Sequence, residues 1–516
     1  MDERYIAAVD LGTSKIAVTV AKVNRDDVQV IYYKEKASEG VRYSAVYNPV
    51  LVSTQVKAAL QEAEENLRIK ILQIVVGLPR FAVRQESACA CLDRSGNESS
   101  ISLEEVSFLK NNAIDSYPLA NEVAETIYGI VPQSFSVDEY IQQLESQIVG
   151  MVGNSLEGNF KIFVGSRRAS SNVDMAMNIT GKATAKKFFL PETTAKAVLT
   201  NEEMENGVAL VEIGAGATSV TIYHKTILRY YSSIPFGGSN ITNDIRRECG
   251  TSEKLAENIK LAYGACMPEK LLTLREKIIQ IENKVSGNRM QLSVKYLSEI
   301  ITARTREIVE AVLYMIQESG FSANLPSGVV VTGGGANLPN LSSFIKDLSG
   351  YNVRLGFPLR HKFSFAGCSG AADTQAAASI GMILAAKEDV HLNCLSGPVV
   401  IKEEIEDEEE DEEFDVSDTV KTVPAAQDTV PAAATSVGTK DSLFSEEEQG
   451  PVGIDRKKLE QAAREEKKRL KREQKEKEKK EREEKLKNSL SWRTVKSVGS
   501  KIGGLFNDIY DSIDNQ

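Results

Sequence analysis

The chain has 516 residues and a formal net charge of −11, spread unevenly: residues 1–401 sum to about −3, 402–455 to about −15 and 456–516 to about +7. With 42% hydrophobic residues it is not a disordered protein as a whole, and its longest nearly apolar stretch, Ala376 to Ala386, is shorter than the ~20 residues a bilayer-spanning helix needs. The opening Met1-Asp2-Glu3-Arg4-Tyr5 has neither the basic nor the apolar region of a signal peptide, so a cytosolic protein is expected.

The first forty residues alternate as strands over Tyr5 to Val9, Lys15 to Val20 and Val28 to Tyr33, with turns at Gly12-Thr13-Ser14 and Asn24 to Asp27. Residues 49–67 place Val52, Val56, Leu60 and Ala63 at helical spacing, and Ile71 to Leu78 form an apolar strand closed by Pro79. Residues 82–160 mix short strands with helices expected over 103–116 and 137–147, a small inserted subdomain. Cys89 and Cys91 fall in its alternating stretch without a second pair at zinc spacing and read as small buried residues. His224, His361 and His391 are scattered and suggest no metal site.

After residue 205 the opening order returns. Strands over Val208 to Ile213, Ser219 to His224 and Ile227 to Ile234 precede helical patterns over 239–248 and 253–263. A long amphipathic pattern spans 292–319, and Gly328 to Gly335 is a buried strand that runs into glycines. The expected organisation is a first lobe over 1–81 and 161–204, the insertion over 82–160 and a second lobe over 205–390. An acidic linker over 391–455 follows, its Ala, Pro, Thr and Ser unable to offset chain entropy by burial.

Residues 456–487 read as a solvated charged helix held by pairs such as Glu473 with Lys477. In 488–516, Trp492, Val495, Val498, Ile502, Leu505, Phe506, Ile509 and Ile513 recur at three- and four-residue steps, flanked by Arg493, Lys496 and Lys501. Docking on the body is one use of such a stripe; an amphipathic helix lying in a membrane surface rich in anionic lipid fits the aromatic anchor and cationic flanks better. The basic stretch has interleaved Glu and no aromatic residue for base stacking, so no nucleic-acid partner is expected.

Three motifs carry chemistry. Val9-Asp10-Leu11-Gly12-Thr13-Ser14-Lys15 joins two strands through a glycine turn whose amides, hydroxyls and Lys15 suit an anion, with Asp10 able to hold a metal-bound water. Val211-Glu212-Ile213-Gly214-Ala215-Gly216-Ala217-Thr218 repeats the pattern, and Thr332-Gly333-Gly334-Gly335 opens a strand onto glycines where a flat ring and ribose can lie against backbone. Each alone is an ordinary turn; the set of three in this order points to nucleotide binding.

The set resembles the superfamily of actin, sugar kinases and heat-shock chaperone ATPases, which has two phosphate loops and an adenosine loop in this order. The stretch Ile130-Val131-Pro132-Gln133-Ser134-Phe135-Ser136-Val137-Asp138, the run Ile234 to Ile245 and Ala256-Glu257-Asn258-Ile259-Lys260 are similar to the bacterial cell-division family FtsA over residues 4–390. The resemblance implies an α/β, actin-like two-lobed fold with duplicated sheet domains, a small inserted α/β subdomain, a disordered linker and a C-terminal amphipathic helix. It implies that Asp10, Gly12, Thr13, Ser14 and Lys15 form the first phosphate loop and Gly214, Ala215, Gly216 and Ala217 the second. Gly237, Gly238, Glu257, Lys260, Gly333, Gly334 and Gly335 would lie near the nucleoside of ATP, with Mg²⁺ held through water by Asp10 and Glu212.

Asp10 and Glu212 are also the candidate catalytic residues, but this chain departs from the family, which usually has Asp at Glu212 and a second acid at Ser219. The residue that positions water in relatives falls near Leu190 or Glu192. Losing a well-placed acid spares phosphate binding and removes the group that orients attacking water, so slow or absent hydrolysis is expected. The resemblance further implies self-polymerisation, tethering of FtsZ through its C-terminal peptide at about residues 230–320, recruitment of later division proteins, and a place on the inner face of the cytoplasmic membrane. A sugar-kinase phosphotransferase remains an alternative, as does another actin-like scaffold for cell shape or pilus assembly. A chaperone is weaker, since no peptide-binding β domain follows residue 390.

Overall fold

A computed structural model describes residues 3–398, apart from 97–98, 139, 143 and 283–288. The charged helix over 456–487, the amphipathic helix over 488–516 and most of the acidic linker lie outside the described residues. Residues 391–398, expected to open the linker, belong instead to the body: Cys394 is fully buried, its amide donates to the Tyr5 carbonyl at 2.7 Å, and strand Leu395–Pro398 pairs with Ile69–Ile71.

Two sheets repeat one plan. In the first, Arg4–Leu11 pairs antiparallel with Lys15–Val23, which pairs with Val28–Ala37; on its other side Arg4–Leu11 runs parallel to Gln73–Gly77, and that strand to Ala183–Phe188. In the second, Val208–Ile213 takes the place of Arg4–Leu11, with Thr218–His224 and Ile227–Ile234 antiparallel on one side and Val329–Thr332 and Val353–Leu355 parallel on the other. The architecture is that of a duplicated, actin-like α/β protein.

The leading strand of each sheet is apolar on both faces because helices cover both. Along Arg4–Leu11, Ala7 and Val9 face a core that includes Val52, Val56 and Leu60 of helix Pro49–Leu67, while Ile6 and Ala8 face a second core with Ile380 and Ile383. Val208 and Leu210 of the second sheet enter that same second core, which therefore belongs to both lobes. Helix Pro49–Leu67 begins where sequence dictates: the Asn48 side chain accepts from the Leu51 amide at 3.2 Å and Pro49 occupies the first turn, where its missing N–H costs nothing.

The insertion is a four-stranded antiparallel sheet, in the order Tyr140–Gln142, Glu125–Val137, Ser155–Ser166, Arg84–Asp93, covered by helix Leu103–Asp115. The helix expected over 137–147 is not formed. Glu125–Val137 is a strand to its end, Asp138 takes φ 51° and its carboxylate accepts from the amides of Asn154 and Ser155, and only Glu145–Ile148 is helical. An Asp that pins a left-handed turn interrupts any helix through it. Cys89 and Cys91 are exposed rather than buried, because Arg84–Asp93 is an edge strand whose alternate side chains leave the sheet.

Late in the chain, Ser364–Phe365 adds a strand to the first sheet and helix Ala377–Lys387 lies on helix Leu190–Val198. Gly381 makes that second contact possible: a Cβ there would overlap the Thr193 carbonyl, which is backbone and cannot turn aside. Gly381→Ala is expected to cost about 1–3 kcal/mol through overpacking, read as a lowered urea midpoint; an unchanged midpoint would mean that the two helices are not in this contact.

Candidate functional site

The two glycine turns are built alike. The Gly12 amide donates to the Lys15 carbonyl at 3.0 Å and the Gly214 amide to the Ala217 carbonyl at 2.9 Å, each closing a hairpin at the end of its leading strand. The amides of Thr13, Ser14, Ala215 and Gly216, at the tips, have no protein acceptor among the described residues. The turns also face one another: a Cβ on Gly216 would sit 2.7 Å from the Thr13 hydroxyl oxygen. Two pairs of unpaired amides therefore converge on one cleft of about 80 Å³, well below the roughly 300–1,000 Å³ of a pocket that encloses a whole organic ligand.

Asp10, Gly12, Thr13, Ser14, Lys15, Gly214 to Ala217, Gly333 and Gly334 all line this cleft. Gly237, Gly238, Glu257, Lys260 and Gly335 lie outside its wall. The first four sit behind the second turn, where the amides of Gly238 and Ser239 donate to the carbonyls of Gly214 and Ala215 at 2.9 and 2.8 Å. Lys260 Nζ there bonds the Gly238 carbonyl at 3.1 Å, Thr242 Oγ1 at 2.8 Å and Glu257 at 2.7 Å. Gly333, at φ 85°, holds the third loop against Ile213: a Cβ would fall 2.6 Å from the Ile213 carbonyl oxygen. Thr374 fastens that loop, its hydroxyl donating to the Gly333 carbonyl at 3.0 Å.

Sequence reasoning missed Arg80, the residue that decides the electrostatics. Its Nη2 lies 3.4 Å from Asp10 Oδ1 and 3.1 Å from Glu212 Oε1, and Nη1 donates to the Ser44 hydroxyl at 3.3 Å. Arg80 is only 9% exposed and Asp10 8%, so the guanidinium is what makes two carboxylates at the floor of the cleft tolerable. Burial pushes the Glu212 carboxyl above the ordinary carboxylate range, against the pull of Arg80 and with Asp10 adding to the rise. A metal-bound water on Asp10 and Glu212, expected from sequence, does not fit this arrangement, because the space between the acids holds a side-chain cation. Ser44 and Gln375 also line the cleft and stand in no motif. A lone Arg after Leu78-Pro79 has no pattern to mark it.

Lys15 is likewise engaged. It pairs with Glu35, to which the Tyr33 hydroxyl also donates, and burial lowers its pKa despite that partner. It reaches the cleft as half of an ion pair.

Residues 209–381 match the family model described as Cell division protein FtsA. FtsA of Borreliella burgdorferi is 29% identical over 360 residues, covering 70% of this chain and 86% of its own length. FtsA of Streptococcus pneumoniae is 27% identical over 356 residues, covering 69% and 76%. Among solved structures, a chain of the PilM-PilN type IV pilus biogenesis complex superposes with a TM-score of 0.53 at 16% identity over 74% of this chain and 98% of that one, a likeness of fold.

Neither Leu190 nor Glu192 reaches the cleft. Leu190 packs on Gly77, and the side chain of that helix that approaches Glu212 is the buried Thr194. Glu192 turns to a separate hollow beside Tyr128, Lys196 and Glu388, where Lys196 is paired with Glu388 at 2.8 Å. Desolvation raises its pKa; Lys196 offsets this in part and Glu388 adds to it. A raised carboxyl favours the folded state fully below its ordinary pKa and loses that contribution as pH rises through the elevated value. Glu192→Gln, which carries no charge, should therefore gain thermal stability over the parent between pH 5 and pH 8; melting curves that shift equally at both pH values would contradict the assignment.

Proposed function

We propose that this relative of the bacterial FtsA cell division proteins binds ATP in the cleft between its two glycine turns and tethers the FtsZ division filament to the inner face of the cytoplasmic membrane. The observation that carries the nucleotide reading is the convergence of two like-built turns, each with unpaired amides, on one cleft with the third glycine loop beside it. Unpaired amides fixed by a closed hairpin attract phosphate oxygens without reorganising, so binding needs little from side chains. The nucleoside would extend past Gly333 and Gly334 toward Lys260 and Glu257.

Turnover is a different demand. An attacking water needs a polar side chain free to orient it, and both acidic candidates, Asp10 and Glu212, are paired with Arg80. Ser219, opposite Glu212 in the ladder, supplies no charge. The protein is therefore an ATP-bound assembly element with slow or no hydrolysis.

Membrane attachment falls to residues 488–516, whose apolar stripe and cationic flanks suit an interfacial helix on anionic lipid. No helix among the described residues is long and apolar enough to cross a membrane. The likeness to FtsA proteins supports FtsZ, through its C-terminal peptide, as partner of the second lobe. It also supports filaments of this chain itself and later division proteins as recruits.

Gly216→Val is expected to weaken binding of a fluorescent ATP analogue at least about tenfold, a loss of roughly 1.4 kcal/mol, because the added methyls drive Thr13 and the first turn away. Equal affinity would remove the cleft as the site. Vesicles containing anionic lipid should pellet the full chain together with FtsZ, whereas a chain ending at residue 487 should leave both in the supernatant; FtsZ that stays soluble beside a pelleted full chain would sink the tethering role.

A further inference from the structure

Arg80 is built into the cleft floor. Its carbonyl accepts from the Tyr231 hydroxyl of the second sheet. The segment that carries it is fastened upstream, where the Leu78 amide donates to the Phe188 carbonyl at 2.9 Å, and turns downstream at Ala82 with φ 59°. The guanidinium lies between Asp10, at the end of the first leading strand, and Glu212, at the end of the second. Of its five N–H donors, two make hydrogen bonds, to Asp10 and Ser44, while Glu212 is held as an ion pair. Nε is fully enclosed and has no partner.

A divalent cation held through water by Asp10 and Glu212 would have to share the space that this side chain occupies. Mg²⁺ demands an octahedral shell at about 2.1 Å and keeps most of its waters, and that shell cannot share the space between two carboxylates with a guanidinium bonded to both. Removing Arg80 to admit it would leave the cleft floor to two largely buried acids, a costly arrangement.

We propose that Arg80 is the resident cation of this cleft, so that the chain binds nucleoside triphosphate with little requirement for a divalent metal. The inference rests on the nucleotide-binding reading and deepens it. The local charge is compatible with an incoming polyphosphate: Lys15 is matched by Glu35, Arg80 by Asp10, and burial favours the neutral form of Glu212. Four unpaired turn amides then face the phosphate oxygens across the cleft that Arg80 also lines, and a planar, always charged guanidinium holds carboxylate and phosphate together where a small hydrated ion otherwise bridges them.

The full chain is titrated with a fluorescent ATP analogue in excess MgCl₂ and again in excess EDTA. The expected result is dissociation constants within about threefold of each other; binding that weakens more than tenfold in EDTA overturns the inference while leaving nucleotide binding intact. Absence of binding in both buffers overturns the nucleotide reading and this inference with it. The double substitution Arg80→Ala with Glu212→Gln removes the cation together with one buried acid, so the floor is not left with two unpaired carboxylates. It should bind the analogue more than tenfold better with MgCl₂ than with EDTA, whereas a variant indifferent to the metal would show that Arg80 is not the cation. If that variant fails to fold, the comparison of buffers on the unaltered chain still decides.

Discussion

Everything at the cleft depends on two hairpin turns approaching to van der Waals range, with Gly216 against Thr13. Turns on separate sheets do not hold such a distance by themselves, since they touch through a few atoms only. The distance is set behind them. Ile6 and Ala8 of the first leading strand and Val208 and Leu210 of the second are buried in one continuous core, with helices Leu190–Val198 and Ala377–Lys387 between the sheets. The small side chains of this layer, Ala195, Ala197, Ala377 and Ala378, together with Gly381, let the helices approach closely and so draw the two leading strands together.

The duplicated plan was legible because each copy carries the same local signals: a leading apolar strand, a glycine turn, two more strands in a meander. Those are short-range patterns, and the strands occur almost where the alternation puts them. Helix Pro49–Leu67 was legible for the same reason, with a cap and a periodic face in its own residues. The return of Ser364–Phe365 to the first sheet was not, because two residues have no period and their partner, Val28–Ala37, lies over three hundred positions away. Asp138 shows the opposite failure: the helical spacing through 137–147 is real in the sequence, but two long-range amide bonds to one carboxylate outweigh it.

The site divides along the same line. Glycine turns are visible in sequence because a tight turn restricts which residues can occupy it, and most of the expected phosphate-loop residues do meet. A side chain that matters for its charge at a distant point leaves no such mark. Arg80 is seventy residues from Asp10 and over a hundred from Glu212, and only the closure of both sheets makes it the neighbour of each. Glu257 and Lys260 are intermediate: they are tied to the second turn through Gly238, one layer back from the cleft.

The same bonds bear on how a closed cleft can admit a ligand. Asp10 reaches Arg80 from within the first lobe, Glu212 and Tyr231 reach it from the second, so the guanidinium and its carbonyl fasten the lobes across the cleft floor. Deleting one partner of such a buried cluster strands a charge, at a cost of about 3–5 kcal/mol. Opening the cleft is different in kind, because the separating lobes let water reach the whole cluster at once and hydration replaces most of what its internal contacts supplied. A bond strong against substitution is therefore weak against hinge motion. The floor can hold the lobes together in the unliganded protein and still yield to a polyphosphate that presents Arg80 with oxygens of its own.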